Sequence, residues 1–140
     1  MPPTKTVNTQ LECPCGSEIP LAKCCLPYIN RQTLAPTAEI LMRSRYTAHV
    51  LLAIDYLWDT WSPEQRLRSS QEEILAWASS CEWLNLHIIS TSAGKENDDQ
   101  GLVIFTVNYR QAGKLQQHHE ISLFKKVARN WLYVNHQGHE

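Results

Sequence analysis

The chain has 140 residues, 43% of them apolar, with 13 Lys and Arg against 14 Asp and Glu for a formal charge of −1. This length suits one domain with a small appendage, and five tryptophans supply material for a core. A balanced charge and a sequence pI near 6.6 argue against a nucleic-acid binder, which needs a basic face. No stretch is apolar enough to span a bilayer.

Residues 1–12 are polar, carry Pro2 and Pro3, and read as a disordered tail. They hold no apolar leader segment, so the expected compartment is the cytoplasm. Cys13, Cys15, Cys24 and Cys25 follow in the pattern C-x-C-x8-C-C, which suits a four-thiolate zinc site. Gly16 permits the sharp turn that close ligands need. Residues 20–25 can form one helical turn that aims adjacent sulfurs in different directions. Disulfides and free buried thiols are the competing readings, and a reducing cytoplasm disfavours the first. Iron can also occupy four thiolates. A saturated site has no position for water, so the metal would be structural. Its net negative charge would be offset by Lys23 and Arg31 nearby.

The knuckle spans 13–30, a connector follows, and the main domain spans 36–137. Thr37 caps a helix with Glu39 in its first turn. Ile40, Leu41, Ala48, Leu51, Leu52 and Ile54 recur at helical spacing over about four turns, and the helix either runs on or breaks near Asp55. Ser62-Pro63-Glu64-Gln65 and Ser70-Gln71-Glu72-Glu73 are capping sequences. The second introduces Ile74, Leu75, Trp77, Ala78 and Cys81 on one stripe, with Cys81 read as a small core residue.

After Cys81 the period becomes two. Strands are predicted over 83–91, 102–110, 115–127 and 131–135. A polar loop lies at 92–101, with tight turns at 111–114 and 128–130. Helices followed by an antiparallel meander define an α+β fold. Alternation puts Val103, Phe105, Val107 and Tyr109 on one face with Glu120, Ser122 and Phe124. Leu102, Ile104, Ile121 and Leu123 lie on the other. Helices cover one face only, so the second apolar set predicts a homodimer through the outer sheet face.

Cys13-Pro14-Cys15-Gly16-Ser17 with Cys24-Cys25 resembles the SEC-C motif, the zinc knuckle also found at the C-terminus of the preprotein translocase ATPase SecA. Leu41-Met42-Arg43-Ser44-Arg45-Tyr46-Thr47-Ala48 is similar to the signature of the YchJ family. Asp55-Tyr56-Leu57, Thr60-Trp61, Glu82-Trp83-Leu84, Glu120-Ile121-Ser122-Leu123-Phe124 and Trp131-Leu132-Tyr133-Val134 match it in order, over about residues 13–135. Asn135-His136 departs from the Asp-Gly that the family tends to carry there. The resemblance implies a zinc knuckle ahead of a cone-shaped domain similar to nuclear transport factor 2, with helices on a curved antiparallel sheet and a pocket inside.

Arg43, Tyr46, Trp61, Phe105, Ser122 and Phe124 are the expected pocket lining, and Arg–carboxylate pairing by Glu120 or Asp55 is expected inside the cone. Two functional readings follow. In the first, the protein is a zinc-binding interaction module. Its knuckle docks on a macromolecular partner, and its cone binds a small ligand or dimerises. In the second, it is a small-molecule enzyme of dehydratase, isomerase or hydrolase type. His118, Glu120 and Asp55 are then the acid–base candidates, His118 and Glu120 sharing one strand face. His136 and His139 near the terminus form a weak metal-binding candidate against a frayed end.

Overall fold

The structure, a computed structural model, describes residues 8–138, with the backbone alone for 137 and 138. The first seven residues of the expected tail, and His139, therefore lie outside the described residues. Residues 8–12 are hydrogen-bonded to the knuckle. Leu21 N–H donates to the Leu11 carbonyl at 2.9 Å, Ala22 N–H donates to Thr9 at 3.0 Å, and Glu12 pairs with Pro20 in an isolated bridge.

The knuckle is a tight loop, a 3-10 turn at Leu21–Lys23 and the short helix α1 (Leu26–Ile29). Gly16 takes φ +88°, in the region that favours glycine. Helix α2 (Ala38–Leu51) is capped by the Thr37 hydroxyl, which accepts from Ile40 N–H at 3.2 Å. It ends where Leu52 turns left-handed at φ 59°. α3 (Ile54–Asp59) then restarts the chain, so the break comes just ahead of Asp55. Ser62 and Ser70 cap α4 (Pro63–Arg66) and α5 (Gln71–Ser80) through Gln65 N–H and Glu73 N–H.

Four antiparallel strands follow in sequential order, β1 (Cys81–Ala93), β2 (Gln100–Gln111), β3 (Lys114–Val127) and β4 (Asn130–Gly138). β1 and β4 are longer than their apolar alternation indicates. Pairing with a long neighbour extends a strand through residues that carry no pattern, as Ser92 and Ala93 do opposite Leu102 and Gly101. The polar loop thus shrinks to 94–99, where a Cβ on Gly101 would collide with the Gly94 backbone. Cys81 is the first residue of β1 and is half-exposed, a correction to its core assignment; the helical stripe ends one residue earlier.

Register faults in β1–β2 and β3–β4 bend the sheet. Its concave face carries Val103, Phe105, Val107, Glu120, Ser122 and Phe124, all buried. The convex face pairs Leu102 with Leu123 and Ile104 with Ile121, all half-buried.

The knuckle and the cone share one core. Cys13, Cys15, Leu21, Cys25 and Ile29 belong to the same buried cluster as Leu41, Tyr46, Leu57, Val103 and Phe124. The N-terminal unit is therefore packed onto α2 and is not an independent appendage.

Candidate metal centre and ligand cavity

The four N-terminal sulfurs lie within 4.8 Å of one another. Cys13, Cys15 and Cys25 are buried and Cys24 is half-buried. Cys15 Sγ and Cys24 Sγ are 3.6 Å apart. A disulfide needs about 2.05 Å, whereas four sulfurs about 2.3 Å from a tetrahedral zinc sit about 3.8 Å from each other. The donor set fits a metal ion and fits paired disulfides poorly. The thiols also share protons unevenly. Burial pushes Cys24 up to about 11. Hydrogen bonds led by Cys13 push Cys25 up and Cys15 down. A divalent cation removes that conflict, because all four groups then bind as thiolates.

Donors surround the sulfurs. Ser17 Oγ lies 3.0 Å from Cys24 Sγ and Thr47 Oγ1 lies 3.5 Å from Cys13 Sγ. Thiolates can only accept, so with metal bound both hydroxyls donate. Arg43 Nη1 donates to the Cys15 carbonyl at 2.8 Å and stands 3.9 Å from Cys15 Sγ, while its Nε donates to Glu39 at 3.0 Å. Arg43 was expected in the pocket. It lies instead on the knuckle side of α2, where its charge stands beside the Cys15 sulfur. Arg31, expected to serve that purpose, pairs with Asp59 at 2.8 Å.

The other side of α2 faces a cavity of about 620 Å3. Met42, Arg45, Tyr46 and His49 line it from the helix, at positions i, i+3, i+4 and i+7 of one face. Trp61, Trp77 and Trp83 close it together with Phe105, Tyr109 and Tyr133. Trp83 joins the rings, with centroids 6.2 Å from Tyr46, 6.2 Å from Trp77, 5.6 Å from Tyr109 and 5.3 Å from His49. Such a wall suits a flat apolar ligand.

Glu120 anchors the polar end. It accepts from His118 Nε2 at 2.6 Å, from Tyr133 Oη at 2.8 Å, and from Ser122 Oγ. Burial alone would raise its carboxyl, but the hydrogen bonds from His118, Ser122 and Tyr133 outweigh burial and hold it at about 2. The same contact raises His118 above the ordinary imidazole value, against its partial burial. The anion is therefore fixed, and His118 is biased toward its protonated form. Burial pushes Arg45 down to about 10. Burial and the Arg45 charge together push His49 down to about 4. His49 Nδ1 lies 2.8 Å from the Arg45 carbonyl and donates to it, since a carbonyl only accepts.

Of the expected lining, Tyr46, Trp61 and Phe105 face the cavity. Ser122 and Phe124 are fully buried behind it, one serving Glu120 and the other packed 5.6 Å from the Tyr133 ring. Asp55 lies in the first turn of α3 and does not line the cavity. The expected Arg–carboxylate pair does not form, since Arg45 bonds the Leu57 carbonyl and the Thr60 hydroxyl. His136 stands on β4 opposite Ser122, away from the cavity lining. His49 was not singled out from the sequence, although its spacing from Met42, Arg45 and Tyr46 was the available signal.

The family described as YchJ, middle NTF2-like domain, matches residues 37–136. A UPF0225 protein of Geobacter sulfurreducens is 38% identical over 126 residues, covering 90% of this chain and 78% of the relative. A UPF0225 protein of Photorhabdus laumondii is also 38% identical, covering 88% and 78%. The solution structure of a SEC-C motif containing protein from Rhodopseudomonas palustris superposes with a TM-score of 0.84 at 32% identity, covering 93% of this chain and all of that one. The crystal structure of a SEC-C motif containing protein from Psychrobacter arcticus gives 0.78 at 27% identity, covering 91% and 82%.

The Glu120–His118 contact makes a pH prediction. His118 has a raised folded value, so its contribution to stability is complete below the unfolded value of about 6.5 and is lost as pH rises through the folded one. NMR titration of His118 is expected to give a value above 6.5 in the wild type and one at or below 6.5 in Glu120→Gln. Equal values in the two proteins would contradict the pairing.

Proposed function

The chain belongs to the YchJ family, in which a SEC-C motif stands beside a middle NTF2-like domain, and on that premise we propose a zinc-stapled protein that binds a small organic ligand inside its cone. The observation that carries the reading is the aromatic cavity of about 620 Å3 with Arg45, His118 and Glu120 at its lining. A volume of this size is in the range of small-molecule sites. Cys13, Cys15, Cys24 and Cys25 would hold the zinc, which leaves no open position and serves folding alone. Reduced thiols are required for this, which supports a cytoplasmic setting. No helix among the described residues is long and apolar enough to cross a membrane.

Two interaction surfaces belong to the same reading. Ile19 of the knuckle and Leu11 of the segment bonded to it are turned outward, 46% and 62% exposed, which supports docking on a protein partner beside the knuckle's role as a staple. On the convex sheet face, Leu102, Ile104, Ile121 and Leu123 form two directly opposed apolar pairs. A second copy laid sheet to sheet would cover them.

An enzymatic reading is supported by one specific feature, the His118–Glu120 pair on the cavity lining. Glu120 has its oxygens occupied and would orient, leaving His118 to move the proton. This reading stands or falls with the titration described above. A His118 value that Glu120→Gln leaves unchanged would mean that the carboxylate does not tune the imidazole, and the pair would lose its role.

Elemental analysis of native protein should find one zinc per chain. Cys24→Ser should lose most of it and lower the melting temperature, because loading contributes about 10 kcal/mol to such sites. An unchanged melting temperature after metal loss would show that the knuckle holds nothing else in place. On a sizing column, Ile121→Lys should run at half the wild-type mass. Equal masses would remove the sheet-to-sheet dimer.

A further inference from the structure

Arg45 is buried, yet it has no carboxylate within ion-pair range among the described residues. An uncompensated buried charge is costly. Nη1 donates to the Leu57 carbonyl at 2.9 Å and to the Thr60 hydroxyl at 2.6 Å. The guanidinium also lies over the Tyr133 ring, 5.2 Å from its centroid. These are neutral partners, and the Glu120 carboxylate acts on the guanidinium only from beyond ion-pair distance.

The residue after Thr60 supplies an independent observation. The Trp61 indole N–H is buried and has no acceptor among the described residues, although its ring lines the same cavity. A buried donor without an acceptor calls for a missing partner. Trp61 pairs with Tyr133 in a parallel bridge, and Tyr133 is the ring beneath Arg45. Arg45 and Trp61 both line the cavity, and both are neighbours of Tyr133, one through its ring and the other through its backbone.

The facing charges favour an anion there. The two carboxylates on the cavity lining are Glu73, on the exposed side, and Glu120. Glu120 already accepts three hydrogen bonds. His118 is biased toward its protonated form by Glu120, and His49 toward its neutral one by burial and Arg45.

We propose that the cavity takes an organic carboxylate with a flat apolar body, its oxygens accepting from the Arg45 guanidinium and the Trp61 indole N–H while the body lies among Tyr46, Trp83, Phe105 and Tyr109. This rests on the reading of the cone as a ligand cavity. A matched bidentate acceptor is what a planar guanidinium recognises. The carboxylate would satisfy both groups that the chain itself leaves unpaired.

The test titrates the zinc-loaded full chain with three probes of one shape: 2-naphthoate, 2-naphthamide and 2-naphthylmethylammonium. The readout is the set of tryptophan indole N–H resonances. Naphthoate should bind about tenfold or more tighter than the amide, the scale of a charge-assisted pair. It should also shift the Trp61 indole N–H downfield. Arg45→Gln should abolish the preference for the acid. Trp61→Phe, which keeps a ring and removes only the donor, should weaken it and carries the test if Arg45→Gln does not fold.

Equal binding of acid and amide, or tighter binding of the ammonium, overturns the anion assignment and leaves the ligand cavity standing. Failure of all three probes also overturns it. Xenon-129 NMR then separates the cases: xenon entry leaves the cavity reading intact, and exclusion removes both.

Discussion

Helix α2 is held between two chemically different surfaces, and the rest of the structure depends on that placement. One side presents Glu39, Arg43 and Thr47 to the cysteine knuckle, through the Cys15 carbonyl and the Cys13 sulfur. Met42, Arg45, Tyr46 and His49 face the cavity on the other. A helix of 14 residues offers one residue to each side about every half turn. The cysteine cluster and the cavity are thus separated by the thickness of a single helix. Burial of Ala38, Leu41, Ala48 and Leu51 on both flanks leaves α2 little freedom to shift.

This arrangement gives the cysteine cluster a structural place beside the NTF2-like domain. The knuckle contributes few large apolar side chains of its own, chiefly Leu21 and Ile29. Without an ion, the four thiols are crowded donors with opposed proton affinities. With an ion they form a rigid plug against α2, and Arg43 lies beside the resulting negative charge. The cavity side gains a fixed wall from which Arg45 and Tyr46 project. Their opposing wall is set by the strand register that brings Phe105 opposite Glu120.

Much of this was legible in the residues. Strand alternation placed Phe105, Glu120 and Ser122 on one face and Ile104 with Ile121 on the other, because period two leaves no third choice. The capping hydroxyls of Thr37, Ser62 and Ser70 marked the helix starts for a local reason, the need to satisfy free N–H groups. Arg43 and Arg45 were harder. They are two residues apart, so they point to different sides of α2, and which side meets sulfur and which meets aromatic rings is a tertiary matter. The ends of β1 and β4 were illegible for a similar reason, since ladder pairing with β2 and β3 extends them past their apolar pattern. The orphaned Trp61 N–H leaves no trace in sequence, because a missing partner is a property of the folded site.

Hydrogen exchange across α2, with and without a strong chelator, reaches the central claim most directly. If the sulfur-bound ion holds this helix, metal removal will accelerate exchange of the amides across Ala38–Leu51 while β2 and β3 keep their protection. Acceleration confined to residues 13–30, with α2 unchanged, would mean that the knuckle and the cavity wall are mechanically independent.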